Sequence, residues 1–278
     1  MGHTTSHRAV LGAVLALAAA PAFAAPLDVY YERSLMLEAN ARCRLFTPQV
    51  GTALDAGALQ ARGAALRAGH APAQITQTRA RARQRAAGAA CGSADLTLAA
   101  NRVRNAYAAW SRTPRMHFPG VRAAWAADRN VYRSPSWRLS QRGQASGAPL
   151  VFGLAADGPG QALAAAVALP AGQRPYAVRL VLRNPARDPQ PWLTTTGSRA
   201  AANVFLASSV TDAAPGLRPT GSQSALRFGF TQAASDALSQ LDPRETFVIE
   251  LVFPGERIRS ARLEVGDFAA ARAFASMR

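Results

Sequence analysis

The apolar residues of this chain recur with two different periods, and the change from one to the other limits what it can fold into. Up to about residue 111 they return every three to four positions, the repeat of an α-helix with one buried side. From about residue 136 they alternate, the repeat of a strand with one face in a core. The break predicts an α+β fold: an N-terminal antiparallel helical bundle followed by a C-terminal antiparallel β-sandwich that ends in a helix.

Four helices are expected in the first part. From Asp28 to Phe46, the residues Met36, Ala39, Cys43 and Phe46 share one face. Pro48 opens a second helix with the stripe Val50, Leu54, Ala58, Ala61 and Ala65, and Gly69 suits its C-terminal end. Pro72 opens a third, running to about Ala90 on Ile75, Ala82, Ala86 and Ala89. Ser93 can cap a fourth, in which Leu96, Ala99, Val103, Tyr107 and Trp110 keep the rhythm. Short connections imply antiparallel neighbours. The stripes are rich in alanine, which buries little area per residue, so this bundle gains from an additional tie. Cys43 and Cys91 are the only cysteines. A bridge between them would close a loop worth about 4 kcal/mol in the chain-entropy model.

Residues 112–135 lose the periodicity. Pro114, Pro119 and Gly120 punctuate them, and they read as the connection between a basic helical domain (25–111) and a sandwich domain (136–278). Beyond them, alternation marks strands around Trp137 and Leu139, Leu150 to Leu154, Leu163 to Leu169, Tyr176 to Leu182, Leu226 to Phe230, Phe247 to Phe253 and Ala261 to Val265. A shorter strand is expected at Val204 to Ala207, and small helices at Ala233 to Leu241 and after Asp267. Seven or eight short strands split by Gly and Pro turns suit a sandwich. Asp212 to Ser224 is the least regular stretch and reads as a flexible loop.

The N-terminus sets the expected compartment. Arg8 precedes an apolar run from Ala9 to Ala20, Pro21 breaks it, and Ala22-Phe23-Ala24 supplies the small residues signal peptidase requires. Residues 1–24 therefore read as a Sec-type signal peptide cut between Ala24 and Ala25, and the protein as periplasmic or secreted. The run is shorter than the roughly 20 residues that span a bilayer, and no later stretch is long and apolar enough.

Export limits the meaning of charge. The net charge is +16, every basic residue is Arg, and basic residues outnumber acidic ones two to one. From Ala25 to Arg142 there are 18 Arg against 6 acids; from Gly143 onward, 13 against 10. Such asymmetry suggests that the helical half meets something anionic. In the bacterial envelope the candidates are lipopolysaccharide, phospholipid headgroups, an acidic polymer or an acidic protein. Nucleic acid is disfavoured because it is scarce there.

Two groups of residues are candidates for a site. Arg79, Arg81, Arg83 and Arg85 alternate along the third helix, and on a helix they straddle the buried stripe in two pairs. Their guanidinium forks suit phosphate or carboxylate, and Arg102 and Arg104 on the fourth helix could extend the patch. Their plain structural role is to lay long stems along a thin alanine core. The second group is the junction: Trp110, Arg112, Arg115, His117, Phe118, Trp125 and Trp137. These residues either line an interdomain cleft or glue the two parts together.

Catalytic signals are sparse. After cleavage only His70 and His117 remain, and none of HExxH, GxSxG, a P-loop or GxGxxG occurs. No metal site or cofactor is expected. Glu245, Glu250, Glu256 and Asp267 could supply a hydrolytic carboxylate pair. The reading is an exported, non-enzymatic envelope protein whose basic helical domain binds an anionic component or acidic partner. The alternatives are a hydrolase of an envelope polymer at the junction, and an assembly factor that pairs through a sandwich edge.

Overall fold

The computed structural model describes residues 25–129, 135–156, 160–188, 202–255 and 257–277. The expected signal peptide, including Ala24, lies outside the described residues. Ala25 is the N-cap of the first helix.

Four helices come first: α1 (Pro26–Cys43), α2 (Pro48–Arg67), α3 (Pro72–Gly88) and α4 (Ala94–Arg112). The first three each begin with proline, whose fixed φ fits a first helical turn. Ser93 caps α4 by accepting from the Leu96 N–H. Helix α1 stops three residues earlier than its apolar spacing suggests. Arg44 takes the left-handed conformation (φ 52°, ψ 48°), and the Asn40 side chain accepts the Phe46 N–H at 2.8 Å, turning the chain toward α2.

Helix α1 packs against both α2 and α3. One cluster joins Tyr30, Ala61, Ala65 and Ile75; a second joins Met36, Ala39, Leu54, Ala86, Leu96 and Ala100. The disulfide Cys43–Cys91 ties the end of α1 to the turn between α3 and α4.

Eleven strands follow among the described residues. The segment read as a plain connection contributes two of them, β1 (Arg115–Phe118) and β2 (Trp125–Asp128), paired antiparallel. They are followed by β3 (Ser136–Ala145), β4 (Ala148–Ala156), β5 (Gln161–Val167), β6 (Ala177–Arg183), β7 (Ala202–Leu206), β8 (Ser209–Asp212), β9 (Leu226–Gly229), β10 (Thr246–Phe253) and β11 (Arg257–Glu264). One sheet has the order β1-β2-β3-β4-β5-β9-β8 and the other β11-β10-β6-β7.

The two sheets share one core. Leu150, Phe152, Leu154, Leu163, Ala165 and Val167 from the larger sheet pack against Val178, Leu180, Phe247, Ile249, Leu251 and Leu263 from the smaller. Along β3 and β11 the buried side chain of Gln141 substitutes for a strand. Its amide accepts the Glu264 N–H at 2.9 Å and donates to the Glu264 carbonyl at 3.1 Å.

A β-bulge corrects the expected phase of β3. Register shifts between Trp137 and Leu139, so the two point to opposite faces instead of the same one. Leu139 enters the core, whereas Trp137 joins a small outer cluster with Ala155, Ala164, Ala166, Ala213, Leu217 and Ala225. The segment expected to be a flexible loop therefore packs on the outer face of β4 and β5. A 3-10 turn (Pro215–Leu217) places the Leu217 carbonyl 3.1 Å from the Trp137 indole N–H.

Two short helices, α5 (Gln232–Ser239) and α6 (Phe268–Ser276), adjoin this core. Phe268 and Phe274 of α6 cover the core-facing side of β1 and β2, where Trp125 is wholly buried. Helix α2 docks on α6 through a second face: Ala53 meets Ala273 and Met277, and Gln60 donates to Asp267 at 2.8 Å. Gly63 of that face lets Asp242 approach closely enough to pair with Arg67. Helix α2 thus belongs to both the helical layer and the sandwich.

Asp267 yields a pH-dependent prediction. Burial raises its carboxyl above the ordinary range, and the Gln60 hydrogen bond opposes this. A raised native pKa adds stability below the unfolded pKa, and that contribution is lost as pH rises through the native value. Asp267→Asn keeps an oxygen for Gln60 and removes the ionisation. The thermal midpoint of the variant, relative to the parent, should climb as pH rises above about 4. A relative midpoint that falls over that range contradicts the assignment.

Candidate functional site

Helix α3 buries Ile75, Thr78, Ala82 and Ala86 against its neighbours and exposes nearly everything else. The arginine run flanks this seam. Arg79 and Arg83 lie on one side and share Glu38 of α1, each Nε 3.4 Å from a different carboxylate oxygen. Their side chains are 62% and 66% exposed, so this shared pair is screened and exchangeable. Arg81 lies over the Tyr31 ring at 5.9 Å and donates to Thr78 Oγ1. Arg85 is exposed and has no partner among the described residues. Burial raises the Asp55 carboxyl above its usual range, and the charge of Arg79 opposes that shift.

The two arginines of α4 differ. Arg102 is exposed and without a partner among the described residues. Arg104 is committed: it donates to the Leu45 carbonyl and to Asn101 Oδ1, each at 2.7 Å, and lies over the Phe46 ring. Only Arg102 of this pair presents an uncommitted guanidinium.

The junction residues do not line one cleft. Trp110 makes edge-to-face contacts with Phe118 at 5.7 Å and Phe274 at 5.8 Å, joining α4, β1 and α6. Trp125 is in the core against Phe268, and Trp137 is on the outer face of the larger sheet. Arg112 and His117 are exposed, and Arg115 pairs with Asp128 across the β1–β2 ladder at 2.6 Å. Trp110 cements the two parts together, whereas Trp125 and Trp137 pack within the sandwich.

Sequence reading passed over Arg129 and Arg138, which organise that cement. Arg129 donates to the carbonyls of Trp110 (2.6 Å) and Met277 (2.9 Å) and lies over the Phe274 ring. It thereby satisfies C-terminal carbonyls of α4 and α6 together. Arg138, the extra residue of the β3 bulge, reaches the Ala275 carbonyl at 3.3 Å. Burial lowers its pKa, with the Asp128 charge opposing.

The described carboxylates considered for catalysis, Glu245, Glu250 and Asp267, are each held separately. Glu245 is buried and accepts Arg183 through both oxygens, at 2.7 and 2.8 Å. Glu250 pairs with Arg179 at 3.7 Å, Asp267 accepts Gln60, and Glu256 lies outside the described residues. Among the described residues no cluster of His, Cys, Asp or Glu could hold a metal ion, and no helix is long and apolar enough to cross a membrane. No protein family, curated protein or solved structure matches this chain.

Proposed function

We propose that the chain is an exported, non-enzymatic protein of the bacterial envelope that binds an anionic envelope component through the exposed arginines of α3. The observation that carries this reading is the surplus of guanidinium on one helix. Among the described residues Glu38 is the only carboxylate that pairs directly with any of the four exposed arginines, and two of them share it at the long distance of 3.4 Å. A phosphate or carboxylate surface can displace so exposed a contact, and the forked donors fit either group. Arg102 adds a further exposed charge on α4.

Binding to vesicles of phosphatidylglycerol mixed with phosphatidylcholine, and to lipopolysaccharide, tests the proposal. Each basic residue near an anionic lipid surface contributes about 1 kcal/mol, so changing Arg79, Arg81, Arg83 and Arg85 together to Gln should weaken binding by at least about a hundredfold. Binding should also fade in 1 M salt, where screening acts over about 3 Å. Equal binding by parent and variant, or equal binding to neutral vesicles, would overturn it.

A second reading, an assembly factor that pairs through a sandwich edge, draws on one observation. Strands β7 and β8 are edge strands of the two sheets, β7 carries no charge or proline and β8 only Asp212 at its end, and Val204, Leu206 and Val210 are exposed. Edges with so little charge accept added strands.

A further inference from the structure

Beyond the helical patch, one cation sits where the strand pattern puts apolar side chains. Arg259 of β11 pairs across the ladder with Leu251, in phase with Ala261 and Leu263, so it faces the inside of the sandwich. Its guanidinium lies 5.1 Å from the centroid of the Phe253 ring, and it has no carboxylate partner among the described residues. An inward-facing arginine with only an aromatic face beside it leaves most of its donors uncommitted.

Those donors border a concavity of about 460 Å³, within the size range of small-molecule sites. It lies at the sandwich end marked by the β3–β4 turn, away from α5 and α6. Pro149 and Leu169 give it apolar walls, and Ser146, Ser222 and Ser224 place hydroxyls around it. The walls are fixed by hydrogen bonds. Ser146 and Gly147 form a two-residue hairpin turn with both φ positive, and the Ser146 N–H donates to the Ser260 carbonyl at 3.3 Å. Ala168 N–H donates to the Pro149 carbonyl at 2.9 Å, and Arg218 holds the Gln223 carbonyl at 2.6 Å.

We propose that this concavity binds an amphiphilic carboxylate: a small organic acid whose carboxylate pairs with Arg259 and whose apolar body lies along Pro149 and Leu169. The planar fork of arginine matches a carboxylate, and Phe253 holds the guanidinium from one side. The serine hydroxyls can satisfy oxygen lone pairs that the guanidinium does not reach.

Octanoate, with octanol as the uncharged control, is the probe, and amide chemical shifts of the folded protein are the readout. Octanoate should saturably shift Ser146 to Ala148, Ala168 to Leu169 and Ser222 to Ser224, while octanol binds at least tenfold more weakly. Arg259→Gln should weaken octanoate at least tenfold, and Arg259→Lys should retain part of the affinity. Ser224→Trp, a change at an exposed rim position, should block binding without disturbing the core. The proposal falls if octanoate and octanol bind alike, if Arg259→Gln binds as the parent does, or if the shifts map to α3 instead. Because α3 is on another part of the molecule, failure here leaves the vesicle result intact, and the reverse also holds.

Discussion

Replacing Gly153 with alanine is expected to destabilise the fold by more than about 3 kcal/mol. Gly153 lies in β4 opposite Ser140, just past the β3 bulge. A Cβ there would stand 1.9 Å from the Leu139 carbonyl oxygen, 2.7 Å from its carbon and 2.9 Å from Ser140 Cα. These are backbone atoms of the paired strand, so no rotamer change relieves the contact. Either the β3–β4 ladder separates or the bulge moves. The bulge positions Arg138 on the Ala275 carbonyl and sends Trp137 to the outer face, so moving it disturbs α6 and the outer cluster as well. For a chain of this size each kcal/mol is worth about 2–4 °C, which puts the midpoint at least about 6 °C lower. Gly160→Ala is the control: a Cβ at that position meets nothing within 4 Å. Equal midpoints for the two variants would contradict the close approach of β3 and β4.

The main architecture was legible because periodicity survives in single residues. Ile75, Ala82 and Ala86 recur at helical spacing and are buried as that spacing requires. Phe247, Ile249 and Leu251 alternate and enter the core. Where two structural demands overlap on one segment, the pattern blurs. In α2 the stripe through Leu54, Ala61 and Ala65 faces the bundle, but Ala53, Ala56, Gln60 and Gly63 form a second contact face made of small or polar residues. Such residues carry no hydrophobic signal. Strands β1 and β2 have four residues each, too few for alternation to show between the surrounding prolines.

The candidate sites divide on similar grounds. The arginine run of α3 is visible because it is a local composition anomaly. Its straddling of the buried seam follows from helix geometry alone, and Arg79 and Arg83 do share one side through Glu38. Which arginines are committed is not visible, since the acceptors of Arg104, Arg129 and Arg138 include backbone carbonyls brought close only by folding. Arg259 did leave a trace. It stands two residues before Ala261 on the inward phase of β11, and a charge in that phase marks a strand end that opens onto solvent or a ligand.

Removing the disulfide should loosen the helical layer selectively. Cys43 and Cys91 are 48 residues apart, so Cys43→Ser with Cys91→Ser releases a loop whose closure is worth about 4 kcal/mol. The bridge stands where burial is thinnest. The cluster beside it consists of Met36, Ala39, Leu54, Ala86, Leu96 and Ala100, half of them alanine, and α4 buries only Leu96 and Ala100. The sandwich instead buries Trp125, Phe152, Phe247, Phe268 and Phe274 in one cluster, and α2 keeps its hold on α6 through Gln60 and Asp267. Backbone hydrogen exchange should therefore accelerate most in α3 and the first half of α4, while β4, β5 and β10 keep their protection. Cys91 is exposed, so a mild reductant should reproduce the effect on the parent chain. Equal loss of protection in helices and strands would show that the molecule opens as one unit, and an unchanged exchange pattern would show that packing alone holds the bundle.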